Sequence, residues 1–189
     1  MRNWCYTNYV IEGDKEEVAD LMQKLKSLED KDISPVKNDF GKLWLGNVVF
    51  LFGGDYEKID CRGEFMNLER NNETSLIFDT CTAWVDKPEV WNFVCEKYKS
   101  LRYYFFAEAS GICYYTSNDK EGKCFSGKYY VEQWYADPKF PATEKELYMD
   151  ISLRTGIVVG SKKGLKEAID TYNASHEDKK IFVHEITIV

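Results

Sequence analysis

The order in which strand-like and helix-like patterns follow one another through residue 109 most restricts the folds open to this chain. Tyr9, Val10 and Ile11 end an extended segment at Glu12-Gly13. Asp14 then has the chemistry of a helix N-cap, and Glu17 stands at the third position of a capping-box arrangement. From there Val18, Leu21, Met22, Leu25 and Leu28 recur at helical spacing and give one apolar face. Residues 30–40 read as a loop with Pro35 and Gly41 as punctuation. Residues 43–52 have strand-like composition, but their length and the Gly53-Gly54 stop favour a short buried helix.

Residues 62–70 and 74–84 then flank Asn71-Asn72-Glu73, a turn that joins antiparallel neighbours. Asp86 is placed to cap a helix with Pro88 in its first turn, and Val90, Phe93, Val94 and Tyr98 form its buried face. An apolar strand follows at residues 103–109. Strand, helix, insertion, strand, strand, helix, strand is the βαββαβ order of a ferredoxin-like fold, in which two helices cover one face of an antiparallel sheet. The fold class expected is therefore α+β, with an inserted helix and added strands at residues 112–117 and 128–137. A two-helix-plus-strand extension completes it. Thr143 with Glu146 and Ser161 start the two helices, the second carrying Leu165, Ala168, Ile169 and Tyr172 on one face, and residues 181–189 alternate as a strand.

Residues on both sides of the strands at 74–84 and 103–109 are substantially apolar, so a second covering layer is required. The expectation is a single domain over residues 1–189: a core with a hairpin extension at 1–137, and an extension at 138–189 that packs on the sheet.

Residues Asn3-Trp4-Cys5, followed by Asn8 and by Gly13 at the strand end, resemble the Met-Pro-Asn-Trp-Cys-x-Asn opening of the YubB-type ferredoxin-like family. Arg2 stands where that opening carries proline. The resemblance continues through Cys61-Arg62-Gly63, Thr82-Ala83-Trp84, Phe106-Ala107-Glu108 and Asn118-Asp119, across roughly the first 135 residues. It implies the fold and a background in plasmids, phages and other bacterial mobile elements, and brings no catalytic residues with it.

Composition removes several functional classes. The apolar share is 44% with 15% aromatic residues, which suits a chain that buries a core. No stretch approaches the roughly 20 apolar residues that span a bilayer, and no signal-like segment opens the chain, so a cytoplasmic protein without a membrane partner is expected. The six cysteines form no CxxC pair and should be free thiols. His176 and His184 are not at paired ligand spacing, so no metal or other cofactor is expected. With a net charge of −7 and dispersed basic residues, nucleic acid is an unlikely partner.

Candidate sites follow from three features. Tyr103, Tyr104, Tyr114, Tyr115, Tyr129, Tyr130 and Tyr135 crowd three consecutive strands, and Tyr104, Tyr114, Tyr115, Tyr129 and Tyr130 form a candidate interaction surface. Tyrosine offers large contact area and a hydroxyl handle to a protein partner or a second copy. Stacking of single-stranded nucleic acid is the alternative, though Glu108, Glu132 and Asp137 are interleaved. Asp79 and Glu108 are carboxylates in apolar strands, a candidate polar site and the alternative of a small acid/base enzyme. Cys5 beside Trp4 has Arg2 as its nearby cation, and a strand position suits it better than a reactive one. The expected function is a non-enzymatic protein–protein interaction module.

Overall fold

The computed structural model describes residues 3–30 and 32–189. Arg2, the cation considered beside Cys5, lies outside them. The fold is mixed α+β, with largely antiparallel pairing and five α-helices among the described residues. No helix among them is long and apolar enough to cross a membrane. The chain divides into two compact units between Tyr114 and Tyr115, well before Asp137, where the sequence pattern placed the start of an extension.

The first unit contains β1 (Trp4–Glu12), α1 (Lys15–Glu29), α2 (Leu45–Leu51), β2 (Gly63–Asn72), β3 (Ser75–Ala83), α3 (Pro88–Cys95) and β4 (Arg102–Ala109). Its strands lie in the order β2-β3-β1-β4, every neighbouring pair antiparallel. The strand β1 alternates by position. Cys5, Thr7, Tyr9 and Ile11 are buried, while Trp4, Tyr6 and Asn8 are exposed. The inward residues meet Leu76 and Phe78 of β3, Phe105 and Ala107 of β4, and the helical faces formed by Leu21, Leu25, Val48, Trp91 and Val94. Tyr9 anchors this layer, its ring stacked on Phe78 at 5.1 Å and tilted against Trp91 at 5.5 Å.

Two expected caps take other partners. Asp14 is the N-cap of α1 by backbone, but its side chain makes no cap bond, and Glu17 does not close a capping box. The Glu17 carboxylate accepts from the backbone N–H of Lys99 and Ser100 and from the Ser100 hydroxyl, tying α1 to the segment after α3. Lys87, not Asp86, precedes α3. Asp86 is buried and accepts from the Tyr114 hydroxyl. The buried face of α3 includes Trp91 and Cys95, with Phe93 and Tyr98 only partly covered. Residues 43–52 are helical over α2, as their glycine stop indicated.

The strand β5 (Tyr114–Ser117) begins at the boundary, and the second unit continues with β6 (Tyr129–Gln133), β7 (Ala136–Lys139), α4 (Glu144–Thr155), α5 (Lys162–Ser175), β8 (Ile181–Glu185) and β9 (Thr187–Ile188). The strand expected at residues 128–137 is broken into the hairpin β6–β7, with Trp134 and Tyr135 between them. Pro138 does not end the sheet. It sits in β7, an edge strand, where a missing N–H is tolerated. The sheet order is β7-β6-β8, all antiparallel. The expected caps of both helices form here: Thr143 accepts from Glu146 N–H at 3.2 Å and Ser161 from Gly164 N–H at 3.1 Å. The apolar faces of α4 and α5 pack on β6 and β8 of their own unit, through Leu147, Ile151 and Ala168 against Val131 and Ile181.

Candidate functional site

The tyrosines are divided between the two units. Tyr104 is partly buried on β4 and its hydroxyl lies 3.4 Å from Glu12. Tyr114 packs against the first core and donates to Asp86. Tyr115 and Tyr130 are only 4% and 5% exposed, and their rings stack 4.7 Å apart. His184 stacks on Tyr115 at 4.4 Å, and its burial holds the imidazole below its ordinary pKa. Tyr129 is partly buried against the second core. Interior packing accounts for most of the tyrosine run.

Asp79 and Glu108 lie on the same face of the first sheet with β1 between them. Asp79 pairs with Asn8, and Glu108 pairs with Tyr6. Two strand spacings and a two-residue offset put their Cα atoms about 12 Å apart. Both oxygens of Asp79 are occupied, by Asn8 Nδ2 at 2.7 Å and by Asn67 Nδ2 at 2.8 Å. Asn67 reaches across from a bulge in β2, where its φ is 55°. Asp79 is thus a bridge across three strands. Glu108 Oε2 is shut from solvent and meets no hydrogen-bond partner among the described residues. Cys5 is buried, and burial pushes its thiol up to about 11, the reverse of activation.

The second unit carries a groove of about 490 Å³ along α5 and β8. It arises because α5 presents one stripe at helical spacing: Lys162, Leu165, Lys166, Ile169, Asp170 and Asn173. Leu165 and Ile169 form its floor with Leu147 of α4 and with Ile181, Val183 and Tyr129 of the sheet. Its lips are charged. Lys162 pairs with Glu144 at 3.2 Å, and this hydrogen bond, then the charges of Glu144 and Glu185, raises the lysine pKa. Glu144 also accepts from the Tyr148 hydroxyl at 3.3 Å. An apolar floor with mixed-charge lips can seat an apolar side chain while orienting polar groups beside it.

Leu165 and Ile169 stand in the sequence as an ordinary amphipathic face, and Lys162 as a solvated lysine at a helix start. Only the packing of α5 beside β8 turns them into a groove. The alternation of residues 181–189 is the one local signal that pointed there. Compared with family models, with curated proteins and with solved structures, the chain matches none of them.

Proposed function

We propose that this chain is a non-enzymatic binding protein that takes a segment of a protein partner into the groove between α5 and β8. The groove itself carries the reading: an open-sided trough of about 490 Å³ with an aliphatic floor and lips bearing both signs of charge. A long open trough suits a polypeptide better than a small ligand, which is usually enclosed on most of its surface. A ferredoxin-like arrangement of the first unit is supported by its strand order, β4-β1-β3-β2, with α1 and α2 between β1 and β2 and α3 between β3 and β4. The N-terminal resemblance supports an accessory role in a bacterial mobile element.

Affinity purification from the source organism, run in parallel with wild type and with Leu165→Asp and Ile169→Asp, tests the proposal. A partner held by the wild-type chain should be lost from both variants, provided that their circular dichroism is unchanged. Equal recovery on folded variants removes the groove from the account.

A further inference from the structure

The pairing phase of β8 identifies what the groove is built to hold. Ile186 N–H donates to the Lys128 carbonyl, and β6 pairs with β8 as Tyr129↔Glu185, Tyr130↔His184 and Val131↔Val183. In an antiparallel ladder the backbone groups of successive residues point to opposite sides. Phe182 and His184 therefore bond to β6, while Ile181, Val183 and Glu185 turn their N–H and C=O groups to the other side. Among the described residues β6 is the only strand neighbour of β8. Ile181 is satisfied on that side by one side chain: its N–H donates to Asn173 Oδ1 at 2.8 Å, and its carbonyl accepts from Asn173 Nδ2 at 2.9 Å. Among the described residues nothing does the same for Val183 or Glu185.

The two edges of this sheet are treated differently. The β7 edge is Ala136-Asp137-Pro138-Lys139, fully exposed and carrying both the proline and the charges that discourage strand addition. The β8 edge, Ile181 to Glu185, has no proline, and its open pair of residues faces the groove. Backbone groups at an edge beside an apolar trough are the two halves of a strand-addition site, one supplying affinity and the other side-chain selection.

Resting on the reading above, we propose that the partner segment binds as an extended strand added to the β8 edge at Val183 and Glu185, with a bulky apolar residue on the Leu165–Ile169 floor and a basic residue at the Glu185 end. Asn173 closes the other end, because it already occupies the hydrogen-bonding groups of Ile181. The basic preference follows from the lips, where Glu144, Asp170 and Glu185 outnumber Lys162 and Lys166. With Lys162 paired to Glu144, the charges left along the groove are Lys166 against Asp170 and Glu185.

The test uses the full chain and a displayed library of random heptapeptides. Enriched peptides should combine a bulky apolar residue with a basic one. A synthetic copy should bind about tenfold or more weakly to Glu185→Pro, which loses one outward N–H and the carboxylate, than to Glu185→Gln, which loses the charge alone; both leave the pairing with β6 intact. N-methylation at alternate amides of the peptide should have a similar effect, and the amides of Val183 and Glu185 should become slow to exchange when it binds. Peptides lost on Leu165→Asp yet indifferent to Glu185→Pro and to N-methylation overturn the strand mode and keep the groove. No enrichment, or binding indifferent to every change, overturns both. A concentration-dependent dimer abolished by Glu185→Pro puts a second copy on the edge and overturns the partner segment.

Discussion

Asn173 holds Ile181 by both ends of its carboxamide, donating to the Ile181 carbonyl at 2.9 Å and accepting from the Ile181 N–H at 2.8 Å. A side chain from the last turn of α5 thus stands in for one residue of a missing strand. The same contact fixes the helix to the strand it flanks, so the groove width depends on it.

Asn173→Ala should destabilise the second unit by about 1 to 3 kcal/mol, since it leaves a buried residue's backbone donor and acceptor without partners. Urea denaturation followed by tyrosine and tryptophan fluorescence would measure this. A midpoint within error of wild type would show that water replaces the carboxamide without penalty.

Asp119 is buried and gathers three backbone N–H groups, Lys123 on Oδ1 at 3.0 Å and Cys124 and Phe125 on Oδ2 at 2.6 and 2.8 Å. Burial alone would raise its pKa, but these donors outweigh it and hold the carboxyl below its ordinary value. Asp119→Asn turns an amide toward donors and should cost about 2 to 4 kcal/mol near neutral pH. Because the folded pKa is depressed, the wild-type advantage is full above the ordinary aspartate value and is lost as pH falls toward the lower folded one. Thermal melts of both proteins from pH 7 to pH 3 should therefore converge in acid.

Tyr135 sits at φ 66° at the tip of the β6–β7 hairpin and is 93% exposed. A left-handed conformation is costly for any residue with a Cβ, by roughly 1 to 2 kcal/mol. Tyr135→Gly removes that strain and loses little packing, so its thermal midpoint should equal or exceed that of wild type. A clear fall would mean that the ring makes contacts that its exposure does not suggest.

Local patterns carried most of the secondary structure. The α1 stripe and the α4 and α5 caps are written within a few residues of one another and appear where the sequence put them, while the hairpin turn falls at Glu73-Thr74 with Asn71 and Asn72 still in β2. Nonlocal relations were not legible. Glu17 has the spacing of a capping box but is drawn to Ser100, 83 positions away. The second helical pair has an apolar face that any sheet could cover, and β6 and β8 cover it. The tyrosine run looked like a surface because tyrosine is amphipathic, and whether each ring lies inside depends on neighbours the strand pattern does not name.

Thiol labelling should follow burial. Cys61 and Cys95 are buried, and desolvation lifts both thiols to about 12, with Cys5 at about 11, so few thiolates form at pH 8. Cys113 is exposed. A small thiol reagent on the native protein should modify Cys113 quickly and leave Cys5, Cys61 and Cys95 until the chain unfolds. Early loss of Cys5 would reopen a reactive role for it.

Tyr114 and Asp86 offer the sharpest test of the first core. The hydroxyl of Tyr114 donates to a carboxylate that is only 5% exposed. Burial raises the Asp86 pKa, and the Tyr114 hydrogen bond opposes that rise without cancelling it. A folded pKa above the unfolded one means that the native state prefers the protonated acid. Stability linked to Asp86 is then fully present below the ordinary aspartate value and declines as pH rises through the raised folded value. Tyr114→Phe withdraws the donor that eases the charged form, so the decline should become steeper. The variant should lose about 1 to 3 kcal/mol near neutral pH, and less in acid, where Asp86 is protonated in both proteins. Chemical denaturation at pH 4 and pH 7 would resolve the difference. A penalty equal at both values would mean that the hydroxyl acts through packing alone, and a penalty larger in acid would contradict the direction of the Asp86 shift.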